Sequence, residues 1–164
     1  MKQIILPIST LLVFAFILNA CGSQGLQSAI SNELGIDASS GNEIFYFDNH
    51  GGFHGDGTTY IALSFPDNKV LEQIEASAQW DDFPLDETAK TLVYGISDEI
   101  SRIGPFLNVG NGNPLAPEIQ NGYYLLIDRH RDKETDILNR SSFNFTLGIY
   151  DTDTDTLYYC KFDT

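Results

Sequence analysis

Residues 143–150 alternate Phe143, Phe145, Leu147 and Ile149 with Asn144, Thr146 and Gly148, and a second apolar run follows at 156–162 after Asp151-Thr152-Asp153-Thr154-Asp155. A period of two sends successive side chains to opposite faces, so the pattern demands a pleated strand and is incompatible with a helical repeat of about 3.6 residues. Two such runs joined by a short polar break read as a hairpin, and a hairpin commits at least part of the fold to an antiparallel sheet. Three more strands are expected. They lie at 43–48, at 58–65, where Ile61, Leu63 and Phe65 alternate with Tyr60, Ala62 and Ser64, and at 123–127, a continuous apolar run suited to a strand covered on both faces.

Two helices are expected between the strands. Pro66 would open the first, running to about residue 78 with Val70, Leu71, Ile74 and Ala78 on one face. Asp86 would cap the second, whose stripe of Ala89, Leu92, Val93, Ile96, Ile100 and Ile103 continues to Gly104-Pro105, with Gly95 the weak position in its middle. The order ββααβββ predicts an α+β domain: an antiparallel or mixed sheet of about five strands with two main helices packed on one face. Two connections stand out. Residues 104–122 are dominated by Gly, Pro and Asn, a length that compact domains reserve for function or leave disordered, and 128–142 is charged and reads as mobile.

The N-terminus carries Lys2 and then an apolar run over 4–18 interrupted only by Pro7, Ser9 and Thr10. About fifteen helical residues reach about 22 Å, short of a bilayer core of roughly 30 Å, so the run is expected to be a leader rather than a resident span. It ends in Leu18-Asn19-Ala20-Cys21-Gly22, which resembles the lipobox of bacterial lipoproteins. The resemblance implies a diacylglycerol on the Cys21 sulfur and cleavage after Ala20, giving a signal peptide over 1–20, a lipidated tether over 21–42 and a single α+β domain over 43–164. Two acyl chains give durable anchoring where one gives only marginal binding. Within the tether, Leu26, Ile30 and Leu34 precede Gly35, the spacing of a short helix with a glycine cap, so part of the tether is expected to dock on the domain.

Charge narrows the partners. The chain holds 9 Lys and Arg against 23 Asp and Glu, a formal charge of −14, and loss of residues 1–20 would remove Lys2 and no acid, leaving −15. Nucleic-acid binding rests on cations neutralising phosphates, so it is not expected, and anionic headgroups would be repelled. A basic protein or small-ligand partner suits such a surface, and solubility alone also accounts for it. With Cys21 acylated, Cys160 has no partner for an intramolecular disulfide, and its apolar neighbours predict a buried, inert thiol.

Four residues form a candidate metal site. The loop Asp48-Asn49-His50-Gly51-Gly52-Phe53-His54-Gly55-Asp56-Gly57 and the later Asp128-Arg129-His130 both leave strand ends. If those ends share one edge of the sheet, His50, His54, Asp56 and His130 could converge as nitrogen and oxygen ligands for zinc or another divalent metal, the one cofactor the sequence offers. A plain glycine-rich turn explains the same residues. Asp151-Thr152-Asp153-Thr154-Asp155 looks like the first half of a calcium loop, but Thr156 stands where the turn needs glycine and Phe162 where a bidentate glutamate belongs, so a polar hairpin turn is the simpler reading. Residues 108–113 lack the lysine and spacing of a phosphate loop, and read as surface loop. Trp80, beside acids, is either an exposed binding aromatic or a half-buried lid over the helices.

The 142–160 stretch, the glycine-rich histidine loop and the lipobox together resemble small uncharacterised lipoproteins of gut Firmicutes. The resemblance implies an address on the outer face of a Gram-positive cell membrane and imports no activity or catalytic residue. No Gly-x-Ser-x-Gly, Cys-x-x-Cys or His-Glu-x-x-His motif is present, so the expectation is a non-enzymatic binding module. The alternatives are a metal-binding protein or metal-dependent hydrolase built on the histidine cluster, and an anchored acidic inhibitor or immunity protein.

Overall fold

The period-two runs form a hairpin. In a computed structural model that describes residues 25–51, 55–97, 100, 102–108, 110 and 112–164, β7 (Asn144–Asp151) and β8 (Thr156–Asp163) pair antiparallel in register from Asn144↔Asp163 to Asp151↔Thr156. Their turn is closed from within. Asp151 accepts from the Asp153 amide at 2.9 Å and the Thr154 hydroxyl at 2.7 Å, and Asp155 takes a positive φ of 49°. The acids of this segment are therefore engaged as turn residues, as expected for a polar hairpin connection.

All five expected strands are present. β1 (Asn42–Asp48), β2 (Gly57–Ser64) and β6 (Gly122–Asp128) join the hairpin, and a two-residue β3 (Asp81–Asp82) completes a six-stranded antiparallel sheet in the order β1-β2-β8-β7-β6-β3. The described residues hold three α-helices: α1 (residues 25–34), α2 (Lys69–Glu75) and α3 (Glu87–Tyr94). The chain is α+β. It divides into two units, Met1–Ser39 and Ser40–Thr164. In the first, α1 ends at Gly35, whose φ is 69° and whose amide donates to Ser31 O at 2.9 Å, the glycine cap its sequence predicts.

The long second helix does not form. α3 stops at Tyr94, and Gly95 turns the chain with φ 74° into a small hairpin of β4 (Ile96–Ser97) and β5 (Arg102–Ile103). Only Gly fits there. A Cβ on Gly95 would lie 2.7 Å from the Pro105 nitrogen, so the backbone approach that returns the chain beside α3 requires its absence. The apolar stripe that imitates a continuing helix faces solvent, with Ile100 96% exposed.

The two helices of the second unit, α2 and α3, lie on opposite faces of the sheet, not on one. Adjacent strand residues point in opposite directions, and on β6 the Tyr123 hydroxyl donates to Glu75 of α2 at 3.3 Å whereas the Tyr124 hydroxyl accepts the amide of Asp86, the N-cap of α3, at 3.3 Å. On the α3 face, Tyr60, Ala62, Tyr124, Phe145, Leu147, Ile149 and Cys160 pack with Ala89, Leu92 and Val93. The side chains of the other face include buried Ile61, Leu63, Tyr150, Leu157 and Tyr159, so the central strands are buried on both sides.

Both long connections are anchored through their described residues. Residues 104–122 bury Leu107, Ala116 and Ile119 in the α3-side core, and Leu115 N donates to Leu107 O at 3.0 Å. The 128–142 segment is tied across its base by Arg140, 6% exposed, which reaches Asp128 at 2.9 Å, while Asp136 caps a 3-10 turn (Ile137–Asn139) whose Ile137 is buried. Trp80 is buried, which excludes the exposed binding aromatic. Cys160 is buried as expected, and burial pushes its thiol pKa up.

Candidate functional site

Where β1 and β6 end decides the fate of the candidate metal site. Every strand pair is antiparallel, so the C-terminal ends of β1, β6 and β8 and the starts of β2 and β7 share one end of the sheet. The condition set by the sequence is met. Convergence does not follow, because β1 and β6 are first and fifth in the sheet and at about 4.8 Å per strand their ends stand about 19 Å apart.

The two described histidines keep separate company. His50 folds back over β2, an approach that Gly57 permits: a Cβ there would fall 2.5 Å from the His50 Cα. Its Nδ1 lies 3.2 Å from Asp48 Oδ1 and 3.2 Å from Thr59 Oγ1, and its Nε2 lies 3.4 Å from Asp163 Oδ2. His130 instead accepts the Asp132 amide at Nδ1, 3.1 Å, and its Nε2 faces Ser142 Oγ at 3.2 Å, which makes it a turn residue. Asp56 lies apart from both sets, on the wall of a neighbouring cleft. His54 and Cys21, the expected lipidation residue, lie outside the described residues, as does the 1–20 segment expected to be a leader. Among the described residues, no group of three or more His, Cys, Asp and Glu is placed to hold a metal ion, so His50, Asp56 and His130, the three described members of the candidate cluster, are not gathered. Among the same residues no helix is long and apolar enough to cross a membrane.

What the sheet end does assemble is a brace centred on Asp163. Arg129 follows β6 and reaches across β7, placing Nη2 2.8 Å from Asp163 Oδ1 while donating to the carbonyls of Phe145 at 3.1 Å and Phe162 at 3.3 Å and, through Nε, to Thr146 Oγ1 at 3.0 Å. The Asn144 amide, oriented with its nitrogen toward the carboxylate, adds a donor at 3.0 Å. On the other side Asp163 meets His50. Asp48 completes the array: burial alone would raise its carboxyl pKa, but the His50 amide at 2.8 Å and the Thr59 hydroxyl at 2.9 Å outweigh burial and hold it below the ordinary value. Asp128 behaves alike, with burial opposed by Arg140 and the His130 amide. The imidazole of His50 is thus held between two carboxylates, and the Thr59 hydroxyl that would be its nucleophile donates to Asp48 instead. The arrangement stitches strand ends together.

Sequence reading quoted Asp48 and Arg129 within their motifs but gave them no role, and it missed Thr59, Asn144 and Asp163. No local signal marks Asp163, since its partners His50, Arg129 and Asn144 belong to other strands or follow them, distant in sequence but at the same end of the sheet.

Beside the brace lies a cleft of about 440 Å³. One wall is formed by Phe106 and Phe162, backed by Phe143 with Phe106 and Phe143 centroids 4.6 Å apart; the polar wall carries Asn49, Asp56, Asp163 and Asn108. Asn108 fixes this loop by donating to Pro105 O at 2.8 Å and accepting the Gly110 amide at 2.7 Å. Comparisons with protein-family models, with curated proteins and with solved structures find no match for this chain.

Proposed function

We propose that the chain is a membrane-anchored lipoprotein of the outer cell face whose acidic domain is a non-enzymatic binding module for a basic protein or peptide. The observation that carries this reading is the segregation of charge along the chain. Between residues 3 and 68 there is no Lys or Arg, while Glu33, Asp37, Glu43, Asp48, Asp56 and Asp67 fall in the same interval. Of these acids Glu43 and Asp48 lie on β1, and neither β1 nor β2 carries a Lys or Arg to offset them. An uncompensated field of this kind accelerates encounter with a cationic partner and raises its local concentration. The apolar leader and Cys21 supply the address, and the diacylglyceryl group would hold the domain at the membrane.

Two experiments test the reading. Mass spectrometry of the native protein should find Cys21 as a lipid-bearing N-terminus; an intact Met1 would remove the address. Pull-down with the Cys21→Ser chain should enrich basic proteins in a salt-sensitive manner. Capture of a basic secreted toxin would specify the module as an immunity protein.

A further inference from the structure

We infer that the outer edge of β1 is a docking site for an extended basic segment of the partner, added to the sheet as a further strand. The inference rests on the binding-module reading and names the contact it would use. Among the described residues β2 is the one strand partner of β1, so the opposite side of β1 carries backbone groups with no ladder beside them. The phase of the ladder identifies them. Asn49 N donates to Thr58 O at 3.1 Å, and with the two-residue period of antiparallel pairing Phe47 and Phe45 also turn toward β2, leaving the N–H and C=O of Tyr46 and Asp48 directed outward.

The side chains along this edge are equally unusual. Ile44, Phe45 and Tyr46 are 58%, 48% and 46% exposed, three consecutive large apolar residues on a strand whose neighbour β2 is buried almost throughout. Edge strands are ordinarily blunted by lysines, prolines or bulges. β1 has neither lysine nor proline, and its irregularity lies at its beginning, between Glu43 and Phe45, so the regular pairing from Phe45 to Asp48 remains available. At the opposite edge β3 is two residues long and pairs only Tyr123 and Tyr124, and the stretch of β6 beyond it is buried or half-buried, so it offers no such exposed template.

Charge selects the occupant. A second copy of this chain would set Glu43 and Asp48 against the same acids in a molecule of formal charge −14, with no Lys or Arg on β1 or β2 to offset them. A partner strand that alternates basic and apolar residues meets both sets of side chains. Its apolar residues would lie beside Phe45 and Phe47 on one face, and its cations beside Tyr46, Asp48 and Glu43 on the other, with backbone hydrogen bonds supplying sequence-tolerant affinity.

The test uses the full chain carrying Cys21→Ser and a synthetic peptide alternating lysine with valine. Titration should shift the Tyr46 and Asp48 amide resonances, and the glutamate counterpart or a peptide with a central proline should bind at least about tenfold more weakly. Tyr46→Pro removes an outward N–H while sparing the ladder to β2, and should weaken the lysine peptide about tenfold with an unchanged circular dichroism spectrum. Glu43→Lys, which leaves the edge backbone intact, should weaken it several-fold. Binding that Tyr46→Pro leaves unchanged, shifts that map away from β1, or a wild-type dimer dissolved by Tyr46→Pro would each overturn the proposal. Basic proteins captured equally by wild type and Tyr46→Pro would sink this contact alone, whereas failure to bind any basic protein or peptide would sink the binding module with it.

Discussion

Arg129 reaches Asp163 across an intervening strand, its Nη2 2.8 Å from the carboxylate, and on the way binds the carbonyls that end β8 and begin β7. One side chain therefore fastens three strand ends. Arg129→Met should cost about 2 kcal/mol, because two carbonyls and a carboxylate lose a charged donor in a partly solvated setting. Asp163→Asn should cost less, about 1 kcal/mol, since the amide oxygen can still accept. Urea denaturation that reverses this order would refute the role given to Arg129.

Acid should weaken the domain through identified groups. The Asp48 and Asp128 carboxyls are held below their ordinary value by the hydrogen bonds that outweigh burial, and Thr135 and the Glu134 amide hold Asp132 at about 2. Each folded-state carboxyl binds its proton less readily than in the unfolded chain, so its contribution is complete above about pH 4 and disappears as pH falls through the lower folded value. Denaturation midpoints should fall between about pH 4 and pH 2, and Asp128→Asn should flatten that slope.

Replacing Gly95 by Ala should cost about 2 kcal/mol or more, combining a left-handed φ of 74° with a Cβ 2.7 Å from the Pro105 nitrogen. The same change at Gly25, where nothing lies within 4 Å of the added Cβ, should be close to neutral or stabilising. Paired thermal melts give the comparison.

Cys160 should resist thiol reagents in the native Cys21→Ser chain and react at the rate of unfolding, because its sulfur is buried and burial disfavours the thiolate. Cys160→Ser should cost about 1–3 kcal/mol, since Tyr60 and Leu147, its neighbours in register, give the hydroxyl an apolar setting. Rapid labelling under native conditions would contradict the packing.

The strands were legible because alternation is a local signal: Phe143 to Ile149 and Ile61 to Phe65 each carry enough period-two contrast to fix a strand without knowledge of its neighbours. The end of α3 was not, because Ile96, Ile100 and Ile103 keep helical spacing and periodicity is silent on whether a stripe is covered. Gly95 was the only dissent, and its force comes from Pro105, ten residues on. β3 is too short to leave a pattern. The candidate site was half legible. That the motifs after β1 and β6 share a sheet end follows from strand direction, but their separation depends on the insertion of β2, β8 and β7 between them, and the partnership of His50 with Asp163 spans 113 positions.

The neighbouring tyrosines of β6 make that strand intolerant of misalignment. A slip by a single residue against β7 would exchange the faces of the two tyrosines and carry each hydroxyl away from its partner, so two layers would lose their attachment together. Mispaired molecules would thus be penalised twice, and β6 acts as a built-in gauge of correct assembly for the elements on either side of it.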